Sequence, residues 1–140
     1  MSKLLQRLSD ASKSGVYRTS RSDEILAAAR GSTLHVARID LAAAADKDAV
    51  LARFAQALSF PKWFGGNWDA LEDCLGDLSW RPGEGHVLVL EDFELGDELG
   101  ILLDVLASVA EFWAARGQPF FAVFVDPQRR LALAELFRER

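Results

Sequence analysis

The sequence predicts an α/β domain in which a small three-stranded parallel sheet packs with helices. Three short segments have the composition of strands, and amphipathic helical segments lie between them. This alternation favours a parallel sheet with right-handed crossovers. The chain has 140 residues, of which 50% are hydrophobic and 26% charged, so it is long enough for one such domain with its own core.

The segments at the two ends are predicted to lie outside this domain. Residues 1–32 form an arm that begins with three leucines spaced for a short amphipathic turn. A linker rich in Ser, Lys, Gly and Arg follows over residues 9–22, and a short capped helix covers 23–29. Residues 127–140 form a tail that begins with a proline, and its last part, 131–140, is predicted to be a terminal helix.

The strands and helices of the predicted domain lie between these end segments. Its strands are an alternating β-branched segment at 33–39 and two nearly continuous apolar runs at 86–90 and 120–125. Three helices connect them: one from Asp46 or Asp48 that ends before Pro61, one from Trp68 to about Leu78 with Asn67 as N-cap, and one that begins after Glu94 and stops near Gly117.

The net charge of −5 is distributed unevenly along the chain. Residues 1–68 hold ten Lys and Arg against six Asp and Glu, and residues 105–140 hold five against four. Residues 69–104 hold eleven acidic side chains and Arg81 alone, a local balance of −10. Such a block disfavours nucleic acid as a partner and attracts basic partners, although an arbitrary acidic stretch is most often only a solvated face.

Enzyme and metal chemistry find little support in the sequence. His35 and His86 have no Cys, Asp or second His at metal-ligand spacing. The single cysteine, Cys74, lies on the predicted apolar face of a helix and has no partner for an intrachain disulfide. Asp69 and Asp73 form a carboxylate pair of the kind that acid–base catalysis uses, but no complementary histidine is recognisable nearby. We therefore predict no catalytic residue, no metal and no cofactor.

The sequence also bears on location. No apolar run approaches the roughly 20 residues that a membrane span needs. The first residues lack the apolar stretch and cleavage site of a secretory signal. A single cysteine fits a reducing compartment. These features predict a cytoplasmic protein with no membrane partner.

The segment from Trp63 to Asp73 combines aromatic, glycine and acidic residues in a pattern typical of a recognition surface. Trp63 and Trp68 flank a turn with two glycines, whose backbone a partner can approach. Asp73 lies one helical turn after Asp69, and Asp77 one turn further, so like charges repel along the helix until a cationic partner relieves them. The alternative is that the tryptophans are core side chains and the aspartates only solubilise the protein.

The run FPKWFGGNWDALEDCL at residues 60–75 resembles the signature of the barstar family, intracellular inhibitors of microbial ribonucleases. The shared pattern is a Pro, an aromatic pair, Gly, Asn, then Asp-Ala-Leu and Asp-Cys-Leu. The resemblance covers roughly residues 33–126 and implies a three-layer sandwich built on a three-stranded parallel sheet. It also implies a stoichiometric inhibitor whose partner is a basic secreted ribonuclease.

In that family an acidic helix and the loop before it plug the ribonuclease active site, with carboxylates in place of RNA phosphates. The partner-binding residues that the resemblance implies here are Trp63, Gly65, Asn67, Trp68, Asp69, Glu72 and Asp73. Asp69 and Asp73 would be the phosphate mimics, and Trp63 would pack near the catalytic histidine of the nuclease.

Three positions depart from the best-known family member. Trp68 replaces a smaller aliphatic residue, and Glu72 replaces a large aromatic one. Phe112, with Glu111 beside it, stands where that member has a contacting glutamate. These departures leave a second hypothesis open, a non-catalytic binding module or antitoxin that uses the same scaffold on a different basic partner.

Overall fold

The computed structural model describes residues 2–62, 64–81, 83–94 and 96–137. In chain order its elements are α1 (Lys3–Leu8), a short 3₁₀ turn (Ala11–Lys13), β1 (Gly15–Thr19), α2 (Asp23–Ala29), β2 (His35–Asp40), α3 (Lys47–Leu58), α4 (Trp68–Asp77), β3 (His86–Glu91), α5 (Glu98–Ala115) and β4 (Phe120–Val125). The three predicted strands are confirmed as β2, β3 and β4, and the three connecting helices as α3, α4 and α5. No helix within these described ranges is long and apolar enough to cross a membrane.

The sheet has four parallel strands in the order β1-β4-β3-β2, so the predicted three-stranded sheet is wrong. The additional strand, β1, lies inside the linker predicted over residues 9–22. Its backbone pairs with β4 from Gly15 opposite Phe121 to Thr19 opposite Val125. Alternating side chains of β1 pack into the clusters on the two opposite faces of the sheet, and this packing stabilises the strand. The residues that flank β1 are polar, so the strand is not evident in the sequence.

Helices cover both faces of the sheet. On one face α3, α4 and α5 bury a cluster that includes Ile39 and Phe124. On the other face, Leu8 of α1 and Ile25 of α2 pack in a second cluster with Phe121. The continuous apolar runs of β3 and β4 follow from this arrangement, because successive side chains enter opposite clusters and all but the partly buried Val125 are buried.

The prediction of a terminal helix over residues 131–140 is wrong for residues 131–137, which are not helical. The last three residues of the predicted helix lie outside the described residues. The chain here runs in an extended path beside β1. The amide of Arg18 donates to the Ala134 carbonyl at 2.9 Å, and the Leu136 amide donates to the Arg18 carbonyl at 2.8 Å. Leu136 is buried in the second cluster, and this pairing outweighs the helical propensity of the segment.

A buried arginine holds these end segments together. Arg18 is 4% exposed, and its guanidinium lies 3.2 Å from the Glu135 carboxylate and donates to the Asp126 carbonyl at 3.0 Å. Both Asp126 carboxylate oxygens accept backbone N–H groups of the following turn. The division into an arm, a domain and a tail stays a prediction, but residues of all three segments pack on the same sheet.

A buried histidine gives the fold an acid-sensitive point. His86 begins β3 beside His35 of β2, with ring centroids 6.0 Å apart, and is 6% exposed. Burial, followed by the charges of His35 and Arg81, lowers the pKa of His86 to about 4. The folded state therefore holds His86 as neutral imidazole down to a much lower pH than the unfolded chain does.

We expect this histidine to make stability fall in acid. Because its folded pKa lies below the unfolded value of about 6.5, its contribution is complete above that pH and is lost as the pH falls toward 4, by up to about 3 kcal/mol. Urea unfolding at neutral pH and near pH 4.5 measures the loss. The variant His86→Leu should flatten this dependence, and an equally steep loss in the variant would contradict the assignment.

Candidate functional site

The predicted recognition helix, α4, begins as the sequence indicates. The side-chain oxygen of Asn67 accepts the N–H of Ala70 at 2.7 Å and caps the helix. Leu71 and Leu75 are buried in the first cluster, and Cys74 is buried as well. The opposite face of α4 is therefore directed outward.

The loop before α4 is fixed from beneath by aromatic side chains. Phe60 and Phe64 contact each other edge to face at 4.8 Å between ring centroids, and Phe60 packs similarly on Trp80. The Trp80 indole N–H donates to the Leu58 carbonyl at 2.9 Å, which anchors the cluster to α3. This support presents the loop and the first turn of α4 on a rigid base.

The two glycines of the loop have different roles. Gly66 has φ +70°, a left-handed conformation that strongly favours glycine. Gly65 is exposed, and a Cβ added there would only make ordinary contacts, 3.7 Å from the Ala70 side chain. The conformational requirement for glycine therefore falls on Gly66, which the sequence analysis did not single out, while Gly65 offers exposed backbone.

The structure describes only one of the two tryptophans predicted for the site. Trp63 lies outside the described residues. Trp68 is half-buried and packs against the first hydrophobic cluster, so part of its surface belongs to the fold and part stays open. A partner-binding role for either tryptophan stays a prediction.

The outward face of α4 carries four exposed carboxylates, those of Asp69, Glu72, Asp73 and Asp77. Within the part of the chain that the structure describes, no ion pair involves any of them. Four acids elsewhere in the described chain do pair with an arginine, as Glu91 does with the Arg38 guanidinium at 2.7 Å. The acidic face of α4 is thus a concentration of uncompensated negative charge on a rigid helix.

A groove of about 260 Å³ separates this face from α5. Its lining residues are Glu72, Asp73, Gly76, Ser108, Val109 and Phe112. Phe112 is 39% exposed, one of two large hydrophobic side chains this open among the described residues, and its neighbour Glu111 is exposed as well. The Trp113 indole N–H donates to the Leu75 carbonyl at 2.8 Å and fixes α5 against α4.

The chain matches a known protein family over most of its length. Residues 34–125, about two thirds of the chain, match the family model described as Barstar (barnase inhibitor). The chain belongs to the barstar family. The resemblance seen in the sequence is thereby confirmed, and members of this family are ribonuclease inhibitors rather than enzymes. No curated protein matches the chain.

The buried cysteine of α4 is not activated by its surroundings. Burial, followed by the charges of Asp73 and Asp77, raises the pKa of the Cys74 thiol to about 11, so the thiol stays protonated at neutral pH and is a poor nucleophile. Across the described ranges, no three His, Cys, Asp or Glu side chains are placed to hold a metal ion.

Five of the seven barstar-type site residues, Gly65, Asn67, Asp69, Glu72 and Asp73, lie together on the loop end and outward face of α4. Of the α5 residues that line the groove, only Phe112 was singled out in the sequence. Ser108 and Val109 gave no signal of their own in the sequence. Gly76 could have been noticed, because a glycine inside a helix costs about 1 kcal/mol relative to alanine.

Proposed function

We propose that this barstar-family chain is a stoichiometric inhibitor of a secreted or delivered microbial ribonuclease, with α4 and the loop before it inserted in the nuclease active site. The observation that carries the proposal is the set of uncompensated carboxylates on the outward face of α4, which lies inside the family match. Asp69 and Asp73, one helical turn apart, take the places of successive phosphates.

The physical argument rests on charge complementarity. A ribonuclease binds polyanionic RNA through a cluster of cationic side chains, and a rigid acidic helix presents matching charge without the cost of ordering a flexible chain. Long-range attraction to the −10 segment speeds association, and added salt weakens that effect. The exposed backbone at Gly65 and the capped turn at Asn67 allow close approach beside the acidic face.

The proposed partner also implies where the protein acts and which other ligands it does not bind. An inhibitor that protects its own cell acts in the cytoplasm, before the ribonuclease is exported or after a foreign one is delivered. Its negative surface excludes nucleic acid as a ligand, and the mechanism uses no cofactor and no membrane.

A titration tests the proposal. Increasing amounts of the protein are added to barnase and to a panel of basic microbial ribonucleases, and cleavage of a fluorogenic RNA is followed. We expect inhibition of at least one nuclease that is complete at one-to-one stoichiometry. A protein that is folded by circular dichroism and inhibits none of them at micromolar excess would overturn the proposal.

The exposed Phe112 favours a second candidate, a binding module or antitoxin for a basic partner that is not a nuclease. An aromatic side chain in place of a contacting glutamate alters the chemistry of one wall of the site. Affinity capture from the source cell, followed by assay of the captured protein for RNA cleavage, separates the two. Recovery of a ribonuclease rejects this second candidate.

The N-cap of α4 should matter both to the fold and to inhibition. We expect Asn67→Ala to lower the free energy of unfolding by about 1 kcal/mol, because the Ala70 N–H loses its acceptor. Asp46→Ala is the matched control, since Asp46 caps α3 in the same way at 2.8 Å. Urea unfolding should show similar losses for both, while only Asn67→Ala weakens ribonuclease inhibition. Equal inhibition constants for the two variants would contradict a role of this turn in binding.

A further inference from the structure

A second cavity lies among the segments outside the family match. Its volume is about 770 Å³, against about 260 Å³ for the groove between α4 and α5, and cavities of this size hold small organic ligands. Its described walls come from the start of α1, the turn after β1, α2 and the tail near residue 137. None of these described lining residues falls within residues 34–125, so the cavity is separate from the proposed inhibitory site.

Part of the cavity wall is apolar. Leu4 is buried in the second cluster, and Ala28 and Phe137 pack against that cluster while they also line the cavity. These three side chains belong to three different segments, so only the folded protein brings them together. An apolar group of a ligand placed against them would be removed from water, which favours its binding.

The polar part of the wall is held in place by the buried Arg18. Its guanidinium donates to the Glu135 carboxylate at 3.2 Å and to the Ser20 hydroxyl at 3.4 Å, and both partners line the cavity. Arg21, which also lines it, donates to the Asp23 carboxylate at 3.1 Å. These contacts fix the tail and the turn after β1, so the cavity is formed before any ligand binds.

Two further charged side chains of the wall are exposed and have opposite signs. They are Lys3 of α1 and Glu24 of α2. Within the described residues no ion pair involves either of them, although they line the same cavity. The cavity therefore presents a ligand with one ammonium and one carboxylate whose charges are not used in ion pairs of the described fold.

We propose that this cavity binds a short peptide that has free ends and an apolar side chain. The carboxylate of the peptide pairs with Lys3, its terminal ammonium pairs with Glu24, and its apolar side chain packs on Ala28 and Phe137. The inference goes beyond the proposed function, because it concerns residues outside the family match and needs no ribonuclease.

A peptide with free ends suits this wall better than other ligands do. A purely anionic ligand is repelled by Glu24 and Glu135, and a purely cationic one by Lys3 and Arg21. An uncharged apolar ligand would cover the charges of Lys3 and Glu24 without pairing them, which costs free energy. A single amino acid would leave much of the 770 Å³ empty.

The first test is a titration with peptides. The tripeptide Ala-Leu-Ala is added to the isotope-labelled protein, and the backbone amide resonances of Ser20 and Ala28 are followed, with that of Asn67 as a remote reference. We expect saturable shifts at millimolar concentrations for the first two only. The N-acetylated peptide, the C-terminal amide and Ala-Gly-Ala should each bind about two- to fivefold more weakly. Absence of saturable shifts, or equal affinity for the free and the blocked peptides, would overturn the proposal.

Variants assign each end of the peptide to its partner. Lys3→Gln and Glu24→Gln should each weaken binding of Ala-Leu-Ala about two- to fivefold. Lys3→Gln should also bind the free peptide and its C-terminal amide equally well, because the partner of the carboxylate is gone. Glu24→Gln should likewise no longer distinguish the free peptide from its N-acetylated form. Variants that still distinguish the blocked peptides as the parent does would contradict the proposal.

Lys13→Gln is the matched control. Lys13 is an exposed lysine of the same N-terminal segment, and it is not among the described residues that line the cavity. Its loss should leave the affinity for Ala-Leu-Ala unchanged. Weakening equal to that of Lys3→Gln would show that the peptide responds to overall charge instead of to this cavity. Urea unfolding checks that all three variants keep the stability of the parent.

Discussion

Replacing Asp73 by alanine should weaken ribonuclease inhibition by about thirtyfold or more, mainly through faster dissociation. The Asp73 carboxylate is exposed on α4, and within the described residues no ion pair engages it, so its charge is available to a partner. Removing it leaves a cation of the nuclease buried and unpaired, which costs about 2–5 kcal/mol, a range drawn in part from complexes of this same family.

The fold itself should tolerate this change. An exposed side chain with no ion pair in the described structure contributes little to folding, so the free energy of unfolding should change by less than about 0.5 kcal/mol. Urea unfolding checks this point independently of binding. A large loss of stability in Asp73→Ala would mean that weakened inhibition reports on folding instead of on the interface.

Glu94→Ala is the matched control for Asp73→Ala. Glu94 is also exposed and also belongs to the acidic block, but it lies beyond β3 and outside α4. Its charge should contribute only to the long-range electrostatic attraction between inhibitor and nuclease. Its loss should therefore slow association, most visibly at low salt, and leave the dissociation rate nearly unchanged. Stopped-flow association and dissociation rates at two salt concentrations distinguish the variants. The same changes in association and dissociation rate for both variants would contradict a direct contact between Asp73 and the nuclease.

The second large effect is expected on stability, from a residue outside the family match. Leu8 of α1 is fully buried in the cluster on the second face of the sheet, together with Ile25 and Phe121. Leu8→Ala should lower the free energy of unfolding by about 2–5 kcal/mol, because it leaves a cavity in a packed core. Urea denaturation measures this loss. At temperatures where the variant is folded, its inhibition constant should equal that of the parent.

Leu5→Ala provides the comparison within the same helix. Leu5 is only partly buried, so its truncation should cost less than about 1 kcal/mol. A loss for Leu8→Ala no larger than that for Leu5→Ala would show that α1 does not pack on the sheet. A larger loss for Leu8→Ala, as expected, would mean that residues 2–32 pack on the sheet as part of the fold.

The elements that depend on short-range chemistry could be predicted from the sequence. Asn67 was predicted as an N-cap, and Asp46 was one of two predicted starts of α3, because each precedes an amphipathic segment. In the structure both side chains accept the N–H three residues ahead. The buried stripe of α4 followed from helical spacing, and β3 and β4 followed from continuous apolar runs. These signals need only neighbouring residues.

The elements that depend on distant partners could not be predicted. The five residues of β1 are flanked by Ser, Lys and Arg and form a strand only because β4 offers a free edge. The tail over residues 131–137 has a helical composition, but pairing beside Arg18 and burial of Leu136 determine its path. In each case long-range packing outweighs local propensity.

The same distinction holds for the candidate site. The α4 residues were located by a motif, and the helix places Asp69, Glu72 and Asp73 outward as its periodicity requires. The groove, however, depends on how closely α5 approaches α4, and the hydrogen bond from the Trp113 indole to the Leu75 carbonyl fixes that approach. A single sequence contains no measure of that distance.

The pairing of β1 with β4 has a consequence for the order of folding. The two strands are about a hundred residues apart in the chain, and β1 has no other strand beside it within the described residues except the bridge from Arg18 to Glu135. During synthesis β1 therefore waits, unpaired, until β4 leaves the ribosome. Contacts this distant slow folding, and under the proposed function inhibition of a ribonuclease made at the same time would begin only after the whole sheet has formed.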